Sequence, residues 1–508
     1  MAGSDSTDSR TLAPGLFTAV RRRGGAAVAA IPLALAIVVG LGVVLRAGLW
    51  FAYDPAIMNV ADTTPYVSMA INTLFADFIR TAGYSMFLRG VHELSADLDF
   101  TLAIQHLLGI ATGLITYATV RRVGGPVWAG TVGAAAVLLS LDQILVEHTL
   151  LSEVLFGFVL VSALYAGVRA IDEPRTLRGR LTSRHLWLIA AGALLGLSAW
   201  TRAVSAPLIP LLGIFFVLAV PGPIWARLGR GALAAGTALA VLLVYFTMNS
   251  ETTGTFGLAS ATGWATYARA APFADCTQFS PPAEYADELC EGIPKDERPG
   301  PDFYAWQKRS PAQKLFGYPP TGDDTLAEFG RSAILAQPRD YAITVGRDTL
   351  RYFFPEINNE QYLGGSDYEY LDIHRRDRAL EREIQAVLGA YYTPEALSVN
   401  EGALDALTEL QQVLRVQPLL MLQAIILGAL GAWFARGRVR AGILLLIGTS
   451  VLLLLIPSAV GTYNARYTIP IGGPLIAAGA LGLWACIERL RGRQADAGAV
   501  EPHPAESI

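Results

Sequence analysis

The stretch Gly25-AAVAAIPLALAIVVGLGVVL-Arg46, preceded by Arg21-Arg22-Arg23 and followed by Trp50, Phe51 and Tyr53, decides the fold class. An apolar run of about 20 residues is the length that crosses a hydrocarbon core as a helix. The aromatics at its far end form an interfacial belt. A signal peptide is the alternative reading, but the run is too long for an h-region and no small-residue cleavage site precedes the aromatics. Composition agrees over the whole chain: of 508 residues, 53% are hydrophobic and 16% charged, with a mean hydropathy of +0.40. Ordinary soluble domains carry about 25% charged residues. The chain reads as an integral membrane protein, and nothing in its charge points to nucleic acid.

Further apolar runs near 101–120, 125–141, 151–169, 186–200, 204–221, 231–249, 417–435, 441–457 and 469–487 bring the expected total to about ten transmembrane helices. Threading them places Arg121-Arg122, the segment Arg169 to Arg184, Arg227 with Arg230, Arg436 to Arg440 and Arg489 to Arg493 on the same side as Arg21-Arg22-Arg23. By the positive-inside rule both termini are then cytoplasmic. The resulting plan is a cytoplasmic tail 1–24, a membrane core 25–249 with a first outward loop 47–100, an outward lobe 250–416, C-terminal membrane helices 417–488 and a cytoplasmic tail 489–508.

The lobe 250–416 is long enough to be a soluble unit, α or mixed α/β, and it holds more than half of the 43 acidic residues. Turn clusters at Pro281-Pro282, Pro299-Gly300-Pro301 and Pro319-Pro320 punctuate it, with helical patterns near 325–353 and 375–414. Cys276 and Cys290 lie close together in it without an accompanying histidine. In an oxidising compartment that spacing favours a disulfide over a metal site. The third cysteine, Cys486, lies in the last apolar run.

The first outward loop, Asp54 to Arg89, concentrates Asp62, Tyr66, Arg80 and Tyr84 directly after a membrane span. Thr64-Pro65 reads as a helix start, and Val67, Ile71, Leu74, Phe75 and Phe78 follow at helical spacing, so a short amphipathic helix on the membrane surface is expected. Asp62, just upstream, sits where an ionisable group is costly unless it has a partner or a task. Capping the helix is its plainest task. Three other outward turns carry charge at similar depth: Asp142 to Glu153, with Glu147 and His148; Thr201-Arg202; and Tyr463 to Pro470, with Arg466 and Tyr467. Singly, each is an interfacial anchor or a cap. Gathered on one face, they read as a shared site.

The order of these elements resembles the GT-C superfamily of membrane glycosyltransferases, in particular the branch of protein O-mannosyltransferases and the lipid A aminoarabinose transferase. The elements are Asp62 with Tyr66 four residues on, Arg80-x-x-Gly83-Tyr84, Ser152-Glu153-x-Leu155-Phe156, Thr201-Arg202 and Arg466-Tyr467-x-x-Pro470. The resemblance covers about 26–249 and 417–487. It implies transfer of a sugar from a polyprenyl-phosphate donor to an acceptor on the outer face of the cell membrane, whether envelope glycan, lipid or protein. It also implies that Asp62 is the base or acceptor-positioning group, that Arg202 or Arg466 holds the carrier phosphate, and that Glu153 lies near the second acidic position. Tyr66, Arg80, Tyr84, Glu147, His148 and Tyr467 are the further substrate-binding candidates, with capping the plainer role for His148. Ala82 stands where the family often has proline, and Asp62 has no adjacent second acid. A divalent metal ion therefore stays open as a cofactor without an assigned ligand.

The chemistry suits so sparse a site. A lipid phosphate leaves without a strong general acid, so one carboxylate taking the acceptor proton can suffice. Arginine is the side chain that grips two phosphate oxygens as charge develops on them. Direct displacement inverts the anomeric centre. A transporter would show mid-span polar groups and broken helices or repeated halves; no internal repeat is found, and the polar groups cluster outside. A non-catalytic scaffold for envelope assembly, binding through the lobe, is the remaining alternative.

Overall fold

The computed structural model describes residues 31–58, 62–172, 176–178, 181–354, 382, 391–393 and 396–498. The expected tail 1–24, most of the helical pattern between 375 and 390, and residues 499–508 lie outside them.

Helices dominate. α1 (Leu33–Ala52) is followed by two short helices, α2 (Thr63–Ile71) and α3 (Gly83–His92), and then by α4 (Leu98–Arg122), α5 (Val127–Leu138), α6 (Leu141–Glu147), α7 (Glu153–Ile171), α8 (Ser183–Thr201), α9 (Leu208–Ala219) and α10 (Ile224–Thr253). Among the described residues each of the ten expected apolar runs lies mainly on helix, but only six helices are long and apolar enough to cross a membrane on their own. A seventh arises if α5 and α6, bent by 51°, count as one broken span. The break has a local cause: Ser140 is extended and its hydroxyl accepts the Gln143 N–H, which starts α6 as a new helix. Of the other three runs, two form the shorter helices Ala203–Ala219 and Pro418–Phe434, and α8 begins with Arg184 and His185 in its first turn.

In lipid a helix satisfies its backbone internally, so its outward face can be apolar. Ile37, Leu41 and Val44 on α1, and Leu239 and Leu243 on α10, are exposed in that manner. Where helices meet, small residues let backbones approach. A Cβ on Gly192 of α8 would strike the Ala234 carbonyl of α10.

Three of the arginine-bearing segments converge. Asp172, just past α7, accepts from Arg122 Nε at 2.6 Å and from Arg438 Nη1 at 3.1 Å, while Arg184 donates to its backbone carbonyl at 2.7 Å. The opposite end carries the first loop and the lobe.

The lobe comprises α11 (Thr262–Ala270), α12 (Ala286–Leu289), α13 (Pro301–Trp306), α14 (Pro311–Phe316), α15 (Asp323–Ala336) and α16 (Pro338–Arg351), with α17 (Glu401–Gln411) leading back to the membrane helices. The pattern expected as one helix over 325–353 is two, because Pro338 follows a non-helical Gln337 and opens α16 at its first turn. Trp264, Tyr267, Tyr304, Leu326 and Phe329 form the lobe's buried core. Cys276 and Cys290 are disulfide-bonded beside it. Ser398–Val399 pairs antiparallel with Tyr53–Asp54, so among the described residues the β structure of this region is a two-residue ribbon.

The remaining membrane helices are α18 (Pro418–Phe434), α19 (Gly437–Val460) and α20 (Ile469–Gly498). α16 rests on the turn between α19 and α20: Tyr341 donates to the Ala459 carbonyl at 3.1 Å, and the Arg351 guanidinium lies 4.4 Å from the Tyr463 ring centre.

The first loop departs from expectation. α2 ends at Ile71, and Leu74, Phe75 and Phe78 are not helical. Asp77 takes the Ile79 and Arg80 N–H groups at 2.8 and 2.6 Å, an alternative to helical bonding. Phe75 holds a φ of 68°, and Phe78 gives its carbonyl to Ser260 and Ala261, which ties the loop to the lobe. The hydrophobic spacing is thus spent on tertiary packing instead of a membrane-surface helix.

Candidate active site

Asp62 occupies the N-cap position of α2 yet its side chain makes no capping bond. Oδ1 instead accepts from Arg80 Nε at 2.9 Å and Nη2 at 2.5 Å, and Oδ2 accepts from Arg466 Nη2 at 2.7 Å. The plain reading of Asp62 as a helix cap is therefore replaced by that of a carboxylate bridging two arginines. Burial raises the Asp62 pKa, but Arg466 and Arg80 outweigh burial and hold the carboxyl well below the usual carboxylate range.

Arg466 also faces a second acid, its Nη1 lying 3.5 Å from Glu153 Oε1. Arg202 Nη1 is 2.6 Å from the same oxygen and 3.3 Å from Ser152 Oγ, and its guanidinium lies 5.1 Å from the Tyr467 ring centre. Ser152 Oγ is 3.0 Å from the Tyr66 hydroxyl. Burial pushes the Tyr66 phenol up to about 12, with Asp62 and Glu153 adding to it against Arg202, so it stays protonated. Asp62, Tyr66, Arg80, Glu153, Arg202, Arg466 and Tyr467 therefore form one cluster, assembled from the start of α2, the loop before α3, the start of α7, the end of α8 and the turn before α20.

Local sequence explains the assembly. Arg80 is aimed by Asp77, which accepts its backbone N–H and meets its Nη1 at 3.2 Å. Gly83 abuts the end of α8, where a Cβ would collide with the Trp200 carbonyl and the Thr201 nitrogen. Only glycine allows that approach. Asn464 accepts the Arg466 N–H at 3.0 Å and starts the short turn that presents the guanidinium.

Tyr84, Glu147 and His148 are placed behind this cluster. The Tyr84 ring packs edge-on to Tyr66 at 5.0 Å, and its hydroxyl donates to Gln105 Oε1 at 2.6 Å. Gln105 in turn donates to the Glu147 and Thr149 carbonyls. The Glu147 carboxylate accepts from Arg46 Nε at 2.7 Å and Nη2 at 2.8 Å, with His106 Nδ1 at 3.0 Å. His106 Nε2 meets His148 Nδ1 at 3.1 Å, and His148 Nε2 lies 2.7 Å from the Tyr53 carbonyl. Burial, with His106 beside it, pushes the His148 imidazole down to about 3, so it is neutral. Glu147 and His148 do not reach the Asp62 cluster. They belong to a separate buried network that braces it through Gln105 and Tyr84.

A divalent cation does not fit the cluster. Both Asp62 oxygens face guanidinium N–H groups and Glu153 Oε1 lies between two more, so a cation there would sit among three positive charges. Among the described residues no group of three or more His, Cys, Asp or Glu side chains is placed to ligate a metal.

No family model matches the chain, and no curated protein matches it. Solved structures do. The archaeal oligosaccharyltransferase AglB from Archaeoglobus fulgidus, in complex with an inhibitory peptide and a dolichol-phosphate, aligns at 16% identity and a TM-score of 0.43 over 93% of this chain. The same organism's oligosaccharyltransferase tethered with an acceptor peptide aligns at 14% identity and a TM-score of 0.44. This chain spans about half the length of these enzymes, 51% of the tethered one. ArnT from Cupriavidus metallidurans bound to undecaprenyl phosphate aligns at 14% identity and a TM-score of 0.32, over 92% of this chain and 81% of that one. These neighbours are GT-C superfamily proteins.

Sequence reading missed Asp77, Ser152, Arg46, Gln105 and His106. Arg46 had the clearest signal, a lone charge within an apolar run, which deserves a functional or structural account by that fact alone. Ser152 directly precedes Glu153. Gln105 and His106 carried no signal, since their partners lie about 40 residues away and only the packing of α4 on the α6–α7 turn brings them together.

Proposed function

We propose that the chain transfers a sugar from a polyprenyl-phosphate donor to a hydroxyl acceptor at the outer face of the membrane, inverting the anomeric centre. The observation that carries this reading is the bridging of Asp62 and Glu153 by Arg80, Arg202 and Arg466 at the end of the bundle away from the arginine-rich helix ends. In this proposal the acceptor oxygen attacks the anomeric carbon while the bond from that carbon to the phosphate oxygen breaks. The electron pair leaves with the phosphate, whose growing charge Arg466 and Arg202 take up. The acceptor proton passes to Asp62.

Three arginines against the two carboxylates leave the cluster with one net positive charge, Asp77 aside. That balance suits an anionic donor. The two carboxylates are not placed as in a glycosidase, where both act on the glycosidic bond, because Glu153 is committed to Arg202.

The test is sugar transfer by the purified protein, given a panel of polyprenyl-phosphate sugars and an envelope extract as acceptor. Asp62→Asn keeps the shape and cannot take a proton, so turnover is expected to fall by about two to four orders of magnitude without loss of donor binding. Transfer by Asp62→Asn at the parental rate would reduce Asp62 to an ion-pair residue. No transfer from any donor by the parental protein would favour a scaffold.

A further inference from the structure

The guanidiniums that the proposed function assigns to the donor phosphate are already paired with carboxylates. Arg466 spans both acids, reaching Asp62 Oδ2 at 2.7 Å and Glu153 Oε1 at 3.5 Å, and Arg202 holds Glu153 Oε1 at 2.6 Å. A carboxylate and a phosphate present similar pairs of oxygens to a guanidinium. One N–H cannot serve both at full strength. Asp62, moreover, accepts three guanidinium N–H bonds, two from Arg80 and one from Arg466. In that state three of its roughly four lone-pair sites are occupied and two guanidiniums hold it ionised, so it is a poor base for an acceptor hydroxyl.

We propose that Asp62 and Glu153 are internal competitors of the donor phosphate, so that phosphate binding draws Arg466 and Arg202 away from them and thereby releases Asp62 for the acceptor. This rests on the reading of Arg202 and Arg466 as the phosphate-binding pair and adds to it an order of events. Without donor, the base is held in an arginine bridge. With donor, Arg466 turns its Nη groups to phosphate oxygens and Oδ2 of Asp62 becomes the free lone pair beside the anomeric carbon. Arg80, anchored by Asp77 at 3.2 Å, keeps Oδ1 and so keeps the carboxylate in place during the exchange. Glu153 is suited to be the partner that lets go. Both its carboxylate oxygens are buried and accept no hydrogen bond among the described residues, so its hold on the arginines is the charge attraction at Oε1 alone.

Competition makes an unusual demand: removing the negative charge from either acid should improve phosphate binding. Full-length protein in nanodiscs is titrated with undecaprenyl phosphate, and the dissociation constant is read for the parent, Asp62→Asn, Glu153→Gln and Arg466→Ala, each first shown to melt cooperatively. The expected result is tightening by roughly three- to thirtyfold in Asp62→Asn and in Glu153→Gln, and weakening of at least about tenfold in Arg466→Ala. A merely structural role for the acids would not tighten binding. An unchanged or weaker affinity in both acid variants, with Arg466→Ala still weakened, overturns the exchange while leaving the phosphate site intact. If Arg466→Ala binds undecaprenyl phosphate as the parent does, the phosphate assignment fails and the exchange fails with it. Should Asp62→Asn not fold, Glu153→Gln decides the matter alone, since Glu153 shares Arg466 with Asp62.

Discussion

Arg46 keeps its charge inside an apolar helix because Glu147 meets both its Nε and its Nη2, while Nη1 donates to the Gly42 and Leu138 carbonyls. Gln143 and His106 occupy further positions on the same carboxylate. Both charged groups are almost wholly buried. Removing one partner of such a pair strands the other, at a cost of about 3–5 kcal/mol, whereas removing both is much milder. Arg46→Met alone is therefore expected to lower the thermal stability of the purified protein strongly, and Arg46→Met with Glu147→Gln to recover more than half of the loss. A double variant as unstable as the single one would show that Arg46 acts through its carbonyl bonds. At this scale the sequence was informative where a charge interrupts an apolar pattern or a short motif recurs, as at Asp62, Glu153, Arg202 and Arg466. It was silent on who pairs with whom, because Asp62 and Arg466 are 404 residues apart and no local pattern encodes such a distance.

Elements bring the lobe to bear on the cluster. α13 places Asp302 near Asp348 and Arg351 of α16, and α16 rests on the turn that presents Arg466. Burial, with Asp348 adding to it against Arg351, pushes the Asp302 carboxyl up to about 6. A raised carboxyl binds a proton more readily folded than unfolded, so between about pH 4 and pH 6 the folded state carries more protons, and stability falls as pH rises. The melting midpoint of the parent is expected to drop between pH 4.5 and pH 7 by more than that of Asp302→Asn, measured in one detergent. Parallel curves would mean that Asp302 is solvated. Helix existence was legible from apolar runs, and the element boundaries were not. The break at Ser140 and the split at Pro338 were each written in a capping or proline signal, but the non-helical path beyond Ile71 goes with the bond between Phe78 and Ser260, residues of two different segments.

The whole molecule has two chemically distinct ends. Arg122, Arg184 and Arg438 gather on Asp172 at one, and the lobe with the Asp62 cluster lies at the other. Positive charge near helix ends is retained on the cytoplasmic side, so the cluster is expected to face outward. In a Cys486→Ser background, Asp296→Cys on the exposed lobe surface is expected to react with a membrane-impermeant thiol reagent in intact cells. Gly229→Cys, exposed near the start of α10, is expected to react only after permeabilisation. The opposite pattern would put the cluster in the cytoplasm and end the outer-face proposal. Hydropathy and arginine placement made the two distinct ends readable, since both report solvent and not partners. The braced network behind the cluster was unreadable for the complementary reason.

The contact of Gly83 with the end of α8 ties two charges to a single datum. Arg80 lies three residues before the glycine and Arg202 two residues after Trp200, so the point where backbone meets backbone fixes how far apart the two guanidiniums begin. The spacing of their backbones is thus set by the absence of one methyl group, and the ion pairs with Asp77 and Glu153 then place the side chains. Any larger residue at 83 would move both arginines together, loosening Asp62 and Glu153 in one step. A displacement of about 1 Å at such a site is worth roughly a hundredfold in rate. The gauge between the two acids is in this sense a steric quantity, held by the smallest residue in the chain.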